Sequence, residues 1–312
     1  MTVSEYLHSW LSEQELLCQR STWEALTVYV GKHLAPFFDG VELGALTPAH
    51  CQEYAKAKLR SGRADGKGGL SAVSVRKHVS VLKQALSVAV LQGLIPSNPA
   101  QFVRLPRSKT TVTQRTVFLT AEEAQNVIEA CQGCPIYPAV VLALYYGLRR
   151  SEVLGLKWQA VDFVRNTLSI QHTVVKNLTT EAKDTTKTAT SRRTFELIPE
   201  VREMLSALKI SHQGSEYLLA RADGSPMRPD SLTRSFQRVL KRNGLPIMRF
   251  HDLRHSTASI LFDRGWSLED VKNWLGHSDI ETTSNIYLHY GRDRKVLLAH
   301  NLHGMLIKTQ KP

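Results

Sequence analysis

The chain has 312 residues, of which 42% are hydrophobic and 22% charged, enough apolar material for a substantial core and not the composition of a disordered protein. Its 40 Lys+Arg against 28 Asp+Glu give a net charge of +12 and a pI near 9.6, which favours a polyanionic partner through counterion release from phosphates, nucleic acid first and an anionic membrane second. No apolar run reaches about 18 residues, Met1-Thr2-Val3-Ser4-Glu5 lacks the basic and apolar regions of a signal peptide, and Cys18, Cys51, Cys131 and Cys134 are too scattered for a disulfide framework, so the expectation is a cytoplasmic protein with its cysteines as thiols.

In chain order, the first strong pattern runs from Leu70 to Leu91, where Val75, Val79, Leu82, Leu86 and Ala89 mark one apolar helix face beside a polar stripe of Arg76, Ser80, Lys83 and Ser87. Gly93, Pro96, Pro99 and Pro106 then punctuate the chain, and a helical domain is expected to end near Arg107. Residues 108–117, rich in Thr and basic side chains and without periodicity, read as a linker. Residues up to Arg107 hold 12 basic against 8 acidic side chains, so both halves are basic, as two domains on one polyanion would be.

Thr120 with Glu123 has the form of a capping box, and the apolar run from Ile136 to Leu148 is expected to continue as helix toward Leu156. Thr167–Val175 and Thr194–Ile198 alternate β-branched and apolar residues around the polar stretch 176–193, which predicts a small antiparallel sheet. After Glu200 the helical pattern returns. The fold class is therefore mainly α with a small antiparallel β-sheet (α+β), as domains 1–107 and 118–312 joined by 108–117.

Four clusters carry polar groups that packing does not need. Tyr146-Gly147-Leu148-Arg149-Arg150-Ser151-Glu152 reads as an amphipathic helix with Arg149 and Glu152 at i and i+3, either functional or a surface ion pair. Thr186-Lys187-Thr188 through Arg192-Arg193 is a cation-bearing loop or a solvated basic hairpin. His251-Asp252-Leu253-Arg254-His255 starts a helix with His251 and Arg254 on neighbouring turns. A neutral-range imidazole and a bidentate guanidinium suit phosphoryl transfer, with a helix cap as the plainer alternative. The fourth cluster is Trp274-Leu275-Gly276-His277-Ser278, followed by Thr282-Thr283 and Tyr287-Leu288-His289-Tyr290. Cys131-Gln132-Gly133-Cys134 has metal-like spacing without a second ligand pair and reads as ordinary thiols near a helix end.

The order Gly-Leu-Arg-x-Ser-Glu, Thr-Lys-Thr, His-x-x-Arg-His, Leu-Gly-His-Ser and Thr-Thr before a Tyr, spread over residues 140–290, closely resembles the tyrosine recombinase (phage integrase) family. Upstream, Thr2 through Leu7 with Trp10, Leu70-Ser71-Ala72, and Ile95-Pro96-Ser97-Asn98-Pro99-Ala100 look like its helical, SAM-like core-DNA-binding domain. What the resemblance implies is a site-specific recombinase that integrates and excises a mobile element through a 3′-phosphotyrosine and a Holliday junction. It implies Tyr287 as nucleophile, His251 as general base, Lys187 as proton donor to the departing 5′ oxygen, Arg149 and Arg254 on the non-bridging oxygens, and His277 as a further donor to phosphate.

Glu152 is expected to orient its neighbours, and Arg192 and Arg193, close to Lys187 in the chain, either to contact the DNA backbone or to place one of the two on the phosphate. Tyr287 lies ten residues after His277, where some relatives have nine, and its flanking Thr282-Thr283 and Tyr-x-His favour it over Tyr290. No metal and no nucleotide cofactor are expected, because strand energy is kept in the phosphotyrosine and no clustered carboxylates are present. The partners implied are double-stranded recombination sites, three further copies of the chain in a tetramer, and a host- or element-encoded directionality factor. The tail with Val296, Leu297, Leu298, Leu302, Met305, Leu306 and Ile307 is apolar at helical intervals and is expected to pack on a neighbouring protomer. Many mobile-element integrases carry a further small domain ahead of the core-binding domain; in this sequence the core-like segment follows Met1 directly. A non-catalytic DNA-binding protein of the same fold and a type IB topoisomerase-like enzyme are the competing readings.

Overall fold

The apolar stripe Val3, Tyr6, Leu7, Trp10 and Leu11 is the buried face of helix α1 (Val3–Leu17) in the computed structural model, which describes residues 1–63, 66–106, 117–170, 193–211 and 214–276, with the backbone of two strands at 173–176 and 180–183. The chain divides into two compact units, Met1–Gln114 and Arg115–Pro312. Of the expected linker 108–117, residues 108–116 lie outside the described residues.

In the first unit, α1 begins at a capping box in which Thr2 Oγ1 accepts from the Glu5 amide at 3.2 Å and Glu5 accepts from the Thr2 amide at 2.7 Å. Helices α2 (Arg20–Tyr29), α3 (Pro48–Ser61) and α4 (Ala72–Leu91) follow. α4 starts at the Ser71 cap and buries the expected Val75, Val79, Leu82, Leu86 and Ala89, together with His78. The Tyr6 hydroxyl donates to the Ala85 carbonyl at 2.8 Å, which ties α1 to α4 inside the core. His78 Nδ1 lies 2.9 Å from the Tyr54 hydroxyl, and the His33 ring lies against it, tilted by 32° with centroids 4.6 Å apart.

The second unit opens with α5 (Ala121–Cys131), whose capping box of Thr120 and Glu123 is formed. α6 (Tyr137–Tyr145) is apolar all round and buries every residue from Pro138 to Leu144, as a helix at the centre of a core must. Here the expectation of one continuous helix to Leu156 is corrected. The chain leaves the helix at Tyr146, turns at Gly147 with φ +62°, and resumes as the short α7 (Arg150–Gly155). Gly147 is required twice over: its φ lies in the left-handed region, and a Cβ there would sit 2.2 Å from Leu275 Cδ2. The last carbonyls of α6 are met from outside the helix, Leu144 accepting from the Thr257 hydroxyl at 2.8 Å.

Strands β1 (Val161–Asp162), β2 (Thr167–Ile170), β3 (Thr173–Lys176), β4 (Thr180–Lys183) and β5 (Arg193–Glu196) come next. The expected antiparallel pairing of the two apolar segments is present as β1-β2-β5, in register Leu168 with Phe195 and Ile170 with Arg193. The first of those segments is divided, however: Thr167–Ile170 pairs with β5, whereas Thr173–Lys176 pairs with β4 from the polar stretch, from Thr173 with Lys183 to Lys176 with Thr180. Helices α8 (Pro199–Ser211), α9 (Pro229–Arg242), α10 (Asp252–Asp263) and α11 (Leu268–Leu275) complete the described residues. The four cysteines are free thiols, with Cys131 buried at the end of α5 and its thiol pushed up to about 12 by burial and then by the neighbouring Cys134. No helix among the described residues is long and apolar enough to cross a membrane.

Candidate active site

Because the chain breaks after Gly147, Arg149 is not a mid-helix residue but the N-cap of α7. Its backbone amide donates to Glu152 Oε2 at 2.8 Å, its Nη1 to Glu152 Oε1 at 2.6 Å, and its Nη2 to the Gly276 carbonyl at 2.9 Å. The side chain remains 31% exposed, so it is fixed by these partners without being sealed from solvent.

Arg254, in the first turn of α10, is 1% exposed. Its Nη1 donates to the Gly147 carbonyl at 2.6 Å and its Nη2 to the Leu275 carbonyl at 2.7 Å. Burial, and next the charge of Arg149, weigh against the cation, while Glu152 at 4.0 Å favours it; a guanidinium keeps its proton in such surroundings. Both arginines thus donate to the final carbonyls of α11, the end at which a helix carries partial negative charge. Gly276 closes α11 in the left-handed conformation at φ +66°, presenting those carbonyls outward.

Between the guanidiniums sits Glu152, 1% exposed. Arg193, the first residue of β5, spans it with Nη1 to Oε1 at 3.2 Å and Nη2 to Oε2 at 2.9 Å. Each carboxylate oxygen therefore accepts two hydrogen bonds, which fills the acceptor capacity of the group. Burial alone would raise the Glu152 pKa, but the hydrogen bonds and charge of Arg193, then the charges of Arg149 and Arg254, hold it down to about 2.

His251 is the N-cap of α10 and exposed. The packing around it, then the charges of His255, Arg254 and Arg149, hold its pKa down to about 4 against the opposing Asp252. The imidazole is neutral at pH 7, with a lone pair available to take a proton. The His255 ring meets it edge-on at 4.9 Å, and the buried His255 Nδ1 has no hydrogen-bond partner among the described residues. Asp252 is buried under Arg249, which donates to it from Nη2 at 2.7 Å and from its backbone amide at 2.9 Å.

Of the six residues expected at the site, the fold brings together Arg149, Arg254 and His251. Lys187, His277 and Tyr287 lie outside the described residues, as do Arg192 and the apolar tail; His277 directly follows Gly276 in the chain. Arg193 requires a correction. It is not a solvated contact for the DNA backbone, since its side chain is 9% exposed and bound to Glu152. The signal was present in the strand period, because Arg193 shares its face of β5 with the buried Phe195, and a cation on a core face has to find an anion. Among the described residues no group of three His, Cys, Asp or Glu side chains could hold a metal ion.

A family model described as the phage integrase family matches residues 117–293, and one described as the phage integrase N-terminal SAM-like domain matches residues 2–59. A tyrosine recombinase XerC-like protein of Caldanaerobacter subterraneus subsp. tengcongensis is 25% identical, over 98% of this chain and 84% of its own. Among solved structures, the Tn1549 transposon integrase in complex with a circular intermediate DNA superposes with a TM-score of 0.77 at 22% identity, over 96% of this chain and 99% of that one. A lambda integrase tetramer bound to a Holliday junction gives 0.70 at 20% identity, over 92% and 77%. At those identities the two structures speak for the fold.

Proposed function

The chain belongs to the phage integrase family and is a site-specific tyrosine recombinase that cleaves and rejoins DNA, and from that premise we propose that Tyr287 is its nucleophile, acting in the pocket of Arg149, Arg254 and His251. In this reading the Tyr287 oxygen attacks phosphorus and the bond to the 5′ oxygen breaks. The 3′ strand end stays on the protein as a phosphotyrosine, and the 5′ end leaves as a hydroxyl protonated by Lys187. His251 takes the tyrosine proton, for which a neutral imidazole at pH 7 is suited. Arg149 and Arg254 hold the non-bridging oxygens where charge builds, and His277 adds a further donor. Attack by the 5′ hydroxyl of a partner strand reverses the step and needs no nucleotide, since the energy of the cut bond is kept in the phosphotyrosine.

The observation that carries this reading is the pair of guanidiniums locked at one helix end by Glu152 and three backbone carbonyls. Such rigidity matters for a phosphoryl oxygen and would be wasted on a nonspecific surface contact. Residues 1–107 serve as the core-DNA-binding domain and 118–312 as the catalytic domain, joined by 108–117. Four protomers act on two duplex sites through a Holliday junction, the assembly named for the lambda integrase neighbour, and the tail 296–312 docks on an adjacent protomer. The biological role is integration and excision of a mobile element in the cytoplasm, with direction set by a host- or element-encoded factor.

The test is a nicked suicide duplex from the native genetic neighbourhood, incubated without divalent metal and examined for a denaturation-resistant adduct mapped by mass spectrometry. An adduct on Tyr287 that is lost in Tyr287→Phe is expected. Salt-sensitive binding without any adduct would point to an architectural DNA-binding protein, and an adduct on Tyr290 would replace the nucleophile.

A further inference from the structure

Glu152 holds Arg149 and stands beside Arg254, yet its own position is set from outside that trio. Its carboxylate is the last rotatable group of a glutamate, a torsion with a broad and nearly flat preference. Arg149 grips it through its amide on Oε2 and its Nη1 on Oε1, both from one side. The opposite side is closed by Arg193 alone among the described residues, through two parallel N–H···O bonds at 3.2 and 2.9 Å. Arg193 is in turn held rigidly. It is the paired residue opposite Ile170 in the β2–β5 ladder, its guanidinium lies over the Phe195 ring at 5.4 Å, and its side chain is 9% exposed.

We propose that Arg193 is a positioning residue for strand cleavage: it fixes the Glu152 carboxylate from the sheet side, so that Arg149 and Arg254 meet the scissile phosphate already in place. The assignment rests on the phosphotyrosine mechanism above. Charge supports it, because three guanidiniums around one carboxylate leave the cluster with two net positive charges. With Arg193 present, Glu152 shares its charge with a guanidinium on the sheet side as well as with Arg149. A phosphodiester anion attacked by a phenolate reaches two negative charges, which the remaining pair matches. A lysine at position 193 keeps the charge but cannot span both oxygens. Arg193 also opens β5 six residues after Lys187 in the chain, so the same side chain anchors one end of the segment that carries the expected proton donor.

The test compares full-length wild type, Arg193→Lys and Arg193→Met on one probe, a nicked suicide duplex bearing the site that the wild-type chain enriches from a random-sequence duplex pool. Both variants should bind the probe with wild-type affinity, since Arg193 faces Glu152 and not solvent. Single-turnover covalent attachment should slow about 10-fold in Arg193→Lys and about 100-fold in Arg193→Met. The Met variant should also lose rate more steeply between pH 7 and 5, as a carboxylate with fewer donors takes up a proton. Rates within about threefold of wild type in a folded variant, or a loss of affinity that accounts for the whole loss of rate, would overturn the assignment. If Arg193→Met fails to fold, Arg193→Lys decides by the same criteria. A wild-type chain that forms no covalent complex on any enriched site refutes the mechanism itself and this assignment with it, whereas an active wild type with unaffected variants refutes only the role of Arg193.

Discussion

Replacing Glu152 by glutamine keeps the shape of the side chain and removes the one anion that the three guanidiniums share. Two routes give the cost. The carboxylate is held at about 2 against an ordinary value of 4.5, and at about 1.4 kcal/mol per pKa unit this corresponds to about 3 kcal/mol at neutral pH. Breaking a buried ion pair by removing one partner costs about 3–5 kcal/mol, which agrees. The sign follows from the depressed folded-state value: the contribution is complete above the unfolded pKa and is lost as pH falls toward about 2. Urea unfolding of the full chain, followed through the transition of the second unit, should show Glu152→Gln about 3 kcal/mol less stable at pH 7. At pH 3 the difference should shrink to about 1 kcal/mol. A variant within about 0.5 kcal/mol of wild type at pH 7, or a gap that does not narrow in acid, refutes the claim that the carboxylate is the hub of the cluster.

Arg149→Lys cannot hold Glu152 and the Gly276 carbonyl with one planar fork, so single-turnover cleavage should drop about 100-fold while DNA affinity changes little; equal losses in both would contradict this. Gly147→Ala combines a left-handed φ with a methyl 2.2 Å from Leu275 Cδ2, and should destabilise the second unit by about 2–4 kcal/mol in chemical denaturation. His78 is buried with its pKa lowered to about 4 by burial and then by His33 and Lys58. Since the unfolded chain takes up that proton at higher pH, the first unit should lose about 2 kcal/mol between pH 7 and 5, a loss that His78→Gln removes. His251, also held near 4, predicts a cleavage rate with no loss from this group at neutral pH and a decline as pH falls toward about 4. A decline centred near 6.5 would show that bound DNA restores its ordinary value.

The helical framework was legible where one rule acted alone. The α4 stripe of Val75, Val79, Leu82, Leu86 and Ala89 is a pure period, and the Thr120–Glu123 cap is local. The break between α6 and α7 was not, because an apolar run is silent about backbone direction. What ends the helix is Gly147 yielding space to Leu275, a residue 128 positions away in the chain. β3 was read as the continuation of β2 in a single strand, and its partner β4 was hidden by a polar sequence that shows no alternation to betray a strand. At the proposed site, Arg149, Arg254 and His251 are singled out by their motifs. Their geometry depends on carbonyls of Gly147, Leu275 and Gly276, and a carbonyl has no signature in a sequence. Arg193 was visible as a cation and mistaken for a surface one, since its partner is set by the strand register and lies 41 positions away.

Three of the anchors that aim the arginine pair are main-chain oxygens, at Gly147, Leu275 and Gly276, and every amino acid supplies such an oxygen. The aim of the arginines is therefore indifferent to the exposed side chains of α11. The exposed Glu269 and Asn273 of α11 can change to suit a different neighbour or a different DNA sequence without retuning the cations behind them. Glu152 and Arg193 have no such freedom. Substitutional tolerance in this domain should thus be sharply divided, wide along the helix surfaces that frame the pocket and nearly nil at one glutamate, its arginines and the glycine turn, a contrast that a saturation-mutagenesis screen for recombination would display directly.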